Sequence, residues 1–122
     1  VKRWRKAIES TTGNRRLWVA KDGGNVVGYS QGKKGATENE IWGLYVLPEY
    51  QGKGLGGTLL GEVLDWLGEE KPVILSVGEH TPAVELYKKF GFVESDETAS
   101  ETLFDSGASI PSIKMIKPKR DE

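Results

Sequence analysis

Along the chain, the period of hydrophobic and polar positions changes several times, and each change predicts an element. Residues Val1 to Thr12 are mostly charged, with Trp4, Ala7 and Ile8 interspersed, and read as a short helix ended by Thr11-Thr12-Gly13-Asn14. Leu17-Trp18-Val19-Ala20 and Val26-Val27-Gly28-Tyr29 are β-rich runs around Asp22-Gly23-Gly24-Asn25, the turn chemistry of an antiparallel hairpin. A third run, Glu40 to Leu47, follows a polar loop through Gly32-Lys33-Lys34-Gly35 and completes a three-strand meander that Pro48 ends. Leu59, Leu60, Val63, Leu64 and Leu67 then repeat at helical spacing in a helix that begins near Thr58 and closes at Gly68. Val73 to Val77 is a short apolar run, as expected of a parallel strand buried on both faces after a crossover. Thr81-Pro82 opens a second helix whose Ala83, Leu86, Tyr87 and Phe90 share one face up to Gly91. Phe92-Val93-Glu94 begins a strand with Ile110 to Ile116 as its antiparallel partner. Between them, Ser95 to Ser109 reads as a polar, acidic loop, and Lys117 to Glu122 as a charged, solvated tail.

The chain has 122 residues, enough for one buried core but not for a cofactor domain plus a substrate domain. Residues 1–122 are therefore read as a single domain. With 17 Lys+Arg against 18 Asp+Glu, the net charge is -1, and nothing suggests a nucleic-acid partner held by bulk electrostatics. The absence of cysteine excludes a disulfide framework and a thiolate nucleophile. One histidine excludes a His-rich metal site, so no metal is expected. No apolar run reaches the roughly 18 residues of a membrane span and the amino end lacks a signal-peptide core, so the expectation is a cytoplasmic protein with no membrane partner.

The chemistry concentrates in Gln51-Gly52-Lys53-Gly54-Leu55-Gly56-Gly57, four glycines in seven residues at a strand-to-helix junction. Glycine lets backbone N–H groups approach an anion, and the following helix adds unpaired N–H groups and the positive end of its dipole. Three phosphate cradles compete. The nucleoside-triphosphate loop fails because Gly52-Lys53 is followed by Gly54 rather than by Ser or Thr. The dinucleotide fingerprint is present at Gly52, Gly54 and Gly57, with Glu79 as a ribose-binding acid. It conflicts with the intervening Pro48-Glu49-Tyr50-Gln51 and with an antiparallel lead-in.

The third cradle fits both spacing and context. The segment Leu44-Tyr45-Val46-Leu47-Pro48-Glu49-Tyr50-Gln51-Gly52-Lys53-Gly54-Leu55-Gly56 closely resembles the signature of the GNAT acetyltransferase superfamily: a hydrophobic strand, Pro-Glu-Tyr, then a QxxGxG loop at Gln51, Gly54 and Gly56. A second segment, Ala83 to Phe92, resembles that family's fourth helix running into its sixth strand. The resemblance covers roughly Leu17 to Ile116. It implies an α/β fold of the α+β type: a mixed, mainly antiparallel twisted sheet with central splayed parallel strands, flanked by helices.

The resemblance also implies a co-substrate and roles for residues. Acetyl-CoA would lie between the splayed strands Glu40 to Leu47 and Val73 to Glu79. Its pyrophosphate would sit on main-chain N–H groups of Gln51, Gly52, Lys53, Gly54, Leu55, Gly56 and Gly57. Backbone groups of Tyr45, Val46 and Leu47 would bond the pantetheine arm, with an N–H near Val46 polarising the thioester carbonyl. Tyr87 would protonate the departing thiolate, although its place on the apolar stripe equally suits a core residue. Glu40 is the first candidate for the base and Glu38 the second, with a water relay as the alternative and a solvated strand-edge role for Glu40 open beside them. His80 stands where the family often has an asparagine near the pantetheine. A lone histidine before a helix is equally a capping or surface group. Lys53 is either a phosphate contact or a solvated loop lysine.

The implied activity is N-acetyl transfer from acetyl-CoA directly to a primary amine, small-molecule or protein, with a non-catalytic acyl-CoA-binding domain of the same fold as the alternative. Members of the family often form homodimers, and nothing in the sequence specifies an interface. Such domains commonly begin with a strand and two helices, whereas one helix-like stretch precedes the first hairpin here. The chain therefore reads either as a minimal version or as one lacking the family's first strand and helix. Trp18 and Trp42 read as core, Trp4 as lining an acceptor pocket or a partner surface, and Arg15-Arg16 and Lys33-Lys34 as solvated loop charges that could equally repel a cationic amine.

Overall fold

The computed structural model describes residues 5–52, 54–78, 82–95, 102–103, 109–110 and 112–120, with backbone only for 5–12, 102–103 and 109–110. Four strands form an antiparallel meander: β1 (Arg5–Thr12), β2 (Arg15–Asp22), β3 (Asn25–Lys33) and β4 (Asn39–Val46). A single 3-10 turn, Pro48–Tyr50, leads to helix α1 (Leu55–Leu67), strand β5 (Val73–Gly78) and helix α2 (Pro82–Lys89). Short strands β6 (Val93–Glu94), β7 (Thr102–Leu103) and β8 (Ser109–Ile110) precede β9 (Ser112–Lys117). The main sheet has the order β1-β2-β3-β4-β5-β9-β6, with β4 and β5 as its parallel pair; β7 and β8 pair separately. The fold is thus mixed, mainly antiparallel and flanked by helices. No described helix is long and apolar enough to cross a membrane.

The helix expected over Val1 to Thr12 is instead strand β1 from Arg5 onward. Gly13-Asn14 is the two-residue turn of a β1–β2 hairpin, with Gly13 at φ +56° and Thr12 opposite Arg15. A register shift between Ile8 and Ser10 explains the misreading: one extra residue in the strand breaks period-two alternation. The meander therefore has four strands rather than three. Trp4 lies outside the described residues.

The core lies between the helices and one face of the sheet. On α1, Leu55, Leu59, Leu60, Val63 and Leu67 are buried, so the helix starts three residues earlier than its apolar stripe suggested. Opposite it, β3 offers Gly28, Ser30 and Gly32 on one face. A methyl at Gly28 would sit 3.1 Å from Leu59 Cδ1 and one at Gly32 would overlap Val63 Cγ2; the Ser30 hydroxyl donates to the Leu59 carbonyl at 3.1 Å. These small residues form a furrow that lets the helix close on the sheet. Buried Asn39 ties the far end of α1 to β4, donating to the Leu67 carbonyl (3.2 Å) and accepting from Gly35 N–H (3.1 Å).

Strand β5 is buried on one face, through Val73 and Leu75, and not on both as its apolar run suggested; Ser76 on the other face is exposed. β9 inserts between β5 and β6 and pairs with both. The stretch read as a loop over Ser95 to Ser109 contains the β7–β8 pairing, and most of its remainder lies outside the described residues. The tail is also less free than its charge implied. Lys117 belongs to β9, and Arg120 bonds Glu69 through its backbone N–H (3.0 Å to the carbonyl) and its guanidinium (2.9 Å to Oε2).

Candidate active site

A wedge opens where β4 and β5 separate. Their parallel ladder holds only two register pairs, Asn39 with Val73 and Glu40 with Ile74, while β4 continues to Val46 and β5 to Gly78. On the β4 side, the Leu47 N–H donates to the Val27 carbonyl at 2.9 Å. Alternation along an antiparallel strand then turns the N–H and C=O of Val46 and Leu44 away from β3 and into the wedge. Tyr45 and Leu47 direct theirs to β3. Of the three residues expected to meet a pantetheine arm, Val46 alone offers main-chain groups. Its carbonyl accepts from Gln51 Nε2 at 3.0 Å, a side-chain role that spacing could not reveal.

The glycine loop lies at the mouth of this wedge. Tyr50 Oη donates to Asp22 Oδ2 and anchors the 3-10 turn to the β2–β3 hairpin. Gly52 (φ +76°) and Gly54 (φ +87°) occupy the left-handed region, with no heavy atom within 4 Å of an added Cβ, so backbone conformation rather than space demands glycine there. Gly54 caps α1 with no side-chain hydrogen bond. The helical ladder starts with Thr58 N–H to the Gly54 carbonyl at 3.0 Å, leaving the amides of Leu55, Gly56 and Gly57 ahead of the first intrahelical donor. A methyl on Gly56 would lie 3.3 Å from Leu86 Cδ2 and 3.8 Å from Val46 Cγ2, so this first turn sits between α2 and the end of β4. Unpaired amides, the positive helix end and an open loop together suit a pyrophosphate. Lys53, Glu79, His80 and Thr81 lie outside the described residues.

On α2, Tyr87 is buried, its ring edge-on to Phe92 at 5.6 Å between centroids. Desolvation pushes its hydroxyl up to about 12. Among the described residues no hydrogen bond to this hydroxyl is found, and its oxygen is not a sealed, unsatisfied atom.

Glu40 stands at the apex of the wedge, on the sheet face opposite α1. Its Oε2 accepts from Trp42 Nε1 at 2.5 Å. It lines a cleft of about 430 Å³ with Gln31, Trp42, Ile74, Ser76 and Lys114. Glu38, the second candidate, sits in the β3–β4 connection. Trp42, expected in the core, is 44% exposed. The register jumps from Gln31–Gly43 to Gly32–Ile41, so Trp42 is the extra residue of a bulge and leaves the core face. Arg15 and Lys33 lie over its ring, 4.2 and 5.2 Å from the centroid. A larger cavity of about 820 Å³ lies at the other end of α1, around Trp66, Gly68 and Lys71, away from the glycine loop and Tyr87. Among the described residues no group of three His, Cys, Asp or Glu side chains is placed to hold a metal.

The model of the acetyltransferase (GNAT) family matches residues 2–92, about three quarters of the chain. The chain belongs to this family. A curated relative, the [ribosomal protein bS18]-alanine N-acetyltransferase of Haemophilus influenzae, is 34% identical over 73 residues. That match covers 58% of this chain and 50% of the relative, so the chain spans about half the length of the curated protein it resembles. Among solved structures, the ribosomal-protein-S18-alanine N-acetyltransferase from Escherichia coli superposes with a TM-score of 0.73 at 22% identity, over 92% of this chain and 74% of that one. A GNAT family acetyltransferase from Elizabethkingia anophelis, solved with acetyl-CoA bound, gives 0.71 at 16% identity, over 97% and 99%. At such identities these two structures show a shared fold.

Proposed function

We propose that this GNAT chain transfers an acetyl group from acetyl-CoA directly to a primary amine. The observation that carries the reading is the two-pair β4–β5 ladder, which opens a wedge with an uncapped helix N-terminus at its mouth. In this reading the amides of Leu55, Gly56 and Gly57, with Gly52 and Gly54 in the loop, hold the pyrophosphate. Val46 meets the pantetheine arm, and Leu44, whose N–H also faces the wedge and which lies nearer to Glu40, presents that N–H to the thioester carbonyl, an interaction worth a few kcal/mol once the carbonyl oxygen gains charge. Gln51 fixes the peptide unit that follows Val46.

Tyr87 is protonated in the neutral range, as any tyrosine is, and burial extends that state to about 12; it is the hydrogen-bond donor to the departing sulfur. With its value at about 12, against roughly 8.5 for an ordinary thiol, it stabilises the thiolate by donation more than by full proton transfer. Glu40, oriented by Trp42, accepts the amine proton directly or through water; Glu38 is the alternative. The absence of cysteine excludes an acyl-cysteine intermediate, which suits direct transfer. Among acceptors a protein amine is favoured by the curated relative, whose printed activity is on an alanine of a ribosomal protein.

One observation favours a second reading. Among the described residues nothing hydrogen-bonds the Tyr87 hydroxyl into position, as a module that binds acyl-CoA without catalysis would tolerate. Calorimetry with acetyl-CoA, CoA and NAD, followed by thiol release with a panel of amines, separates the two. CoA binding with thiol release supports the transferase, binding without release supports the module, and no CoA binding refutes both. Glu40→Gln is expected to lower turnover by about 10² or more if the carboxylate is the base.

A further inference from the structure

We propose that the sheet face opposite the helices seats the acceptor as an extended peptide with acidic residues just after its amino terminus, and that Arg15 and Lys33 select it. This deepens the acetyltransferase reading and rests on it. Arg15 pairs with Lys33, Lys33 with Glu40 and Glu40 with Ile74, one register row across β2, β3, β4 and β5. Partners in such a row share a face. By alternation Lys21 joins the same face, as does Lys114, the register partner of Ser76. Lys21 and Lys114 are engaged by other groups, which leaves Arg15 and Lys33 beside one anion, Glu40, among the described strand side chains there. The chain as a whole has a net charge of -1, so the bias is local.

The face is also built for contact. Its Trp42, Tyr29 and Tyr45 are 44%, 38% and 47% exposed, and the two tyrosine rings lie 6.2 Å apart. Arg15 and Lys33 are held over the Trp42 ring, so less side-chain freedom is lost when an anion binds them. Spacing supplies the register of the occupant. Adjacent strands lie about 4.8 Å apart, which puts the Lys33 and Arg15 strands about 5 and 10 Å from Glu40. An extended peptide advances about 3.4 Å per residue, so with its amine at Glu40 its second to fourth residues pass over these cations. The cleft at Glu40, about 430 Å³ and lined by Gln31, Trp42 and Lys114, takes the first residue. Polycationic amines are disfavoured by the same charges.

The test uses three carboxamide peptides with free amino termini, Ala-Glu-Glu-Ala, Ala-Gln-Gln-Ala and Ala-Lys-Lys-Ala. Thiol release from acetyl-CoA is measured for each, and peptide binding is measured separately by calorimetry. With two exposed charge contacts of about 0.5–1 kcal/mol each, kcat/KM is expected to fall about tenfold from acidic to neutral peptide, and further for the basic one. The preference should weaken with added salt. The double variant Arg15→Gln/Lys33→Gln should bring the acidic-to-neutral ratio close to one, whereas Lys89→Gln/Lys119→Gln, which changes net charge equally elsewhere, should keep it. An equal or basic preference overturns the proposal, as does a preference that survives the first double variant, or β-alanine serving as well as the acidic peptide. If acetyl-CoA fails to bind, the acetyltransferase reading falls; the calorimetric ranking of the peptides still judges the surface.

Discussion

Replacing Tyr87 by phenylalanine separates a structural tyrosine from a functional one, because the two roles predict different outcomes. The ring is 5% exposed and stacks edge-on against Phe92, a contact phenylalanine retains. The hydroxyl has no partner among the described residues to lose, so stability at neutral pH should change by no more than about 0.5 kcal/mol. In alkali the variants diverge. The folded hydroxyl ionises near 12 instead of 10.0, so the stabilisation linked to it is complete below pH 10 and is lost as pH rises from there through 12. Two pKa units correspond to about 2–3 kcal/mol that the wild type forfeits and Tyr87→Phe does not. Urea melts of both proteins at pH 8 and pH 11.5 read this difference directly. Turnover should fall by about 10² in the variant if the hydroxyl donates to the leaving sulfur. Two results refute the reasoning: destabilisation above about 1 kcal/mol at pH 8, which would mean the hydroxyl is bonded, or unchanged turnover with parallel alkaline melts.

Gly54→Ala should weaken CoA binding about tenfold by calorimetry, because alanine at φ +87° costs about 1–2 kcal/mol and the loop must move. Gly61→Ala, in mid-helix with open space around its Cβ, should instead stabilise the protein by about 0.5–1 kcal/mol in thermal melts. Asn39→Ala removes two hydrogen bonds in a buried site and should cost about 1–3 kcal/mol in urea unfolding, leaving the affinity for CoA unchanged. Gly32→Ala forces a methyl into Val63, should cost about 1–3 kcal/mol, and, unlike Asn39→Ala, should also weaken CoA binding.

Elements with one uninterrupted period were legible in the sequence. The stripe Leu59, Leu60, Val63 and Leu67 is buried as expected, the β2–β3 hairpin turns at Gly23-Gly24, and the glycine loop opens α1. Periodicity failed where a bulge adds a residue. The shift between Ile8 and Ser10 disguised β1 as a helix, and the bulge at Trp42 turned an expected core residue outward. It also gave no sign of long-range pairings: β9 between β5 and β6, or Arg15 stacked over Trp42 from two strands away. These shape the sheet face opposite the helices. The glycine loop, by contrast, is local in sequence, and its place ahead of α1 could be read there.

The small-residue furrow of β3 explains why the N-terminal end of α1 lies at the wedge. Gly28, Ser30 and Gly32 recur every second residue and share a face; Leu55, Leu59 and Val63 recur every fourth on α1 and meet them. Eight helical residues rise about 12 Å, and four strand residues about 13.6 Å, so the two rows keep step over their whole length. Leu55 and Leu59 then lie over Gly28 and Val63 over Gly32, which runs α1 alongside β3 and antiparallel to β4, the direction a crossover to β5 requires. Gly28 is the register partner of Val46. Seating Leu55 over Gly28 therefore sets the free amides of Leu55, Gly56 and Gly57 at the level of the one main-chain unit at the end of β4 that faces the wedge. The same contacts bury the core and align the helix end, so a methyl in the furrow disturbs both, whereas a lost hydrogen bond at Asn39, at the far end of the helix, disturbs stability alone.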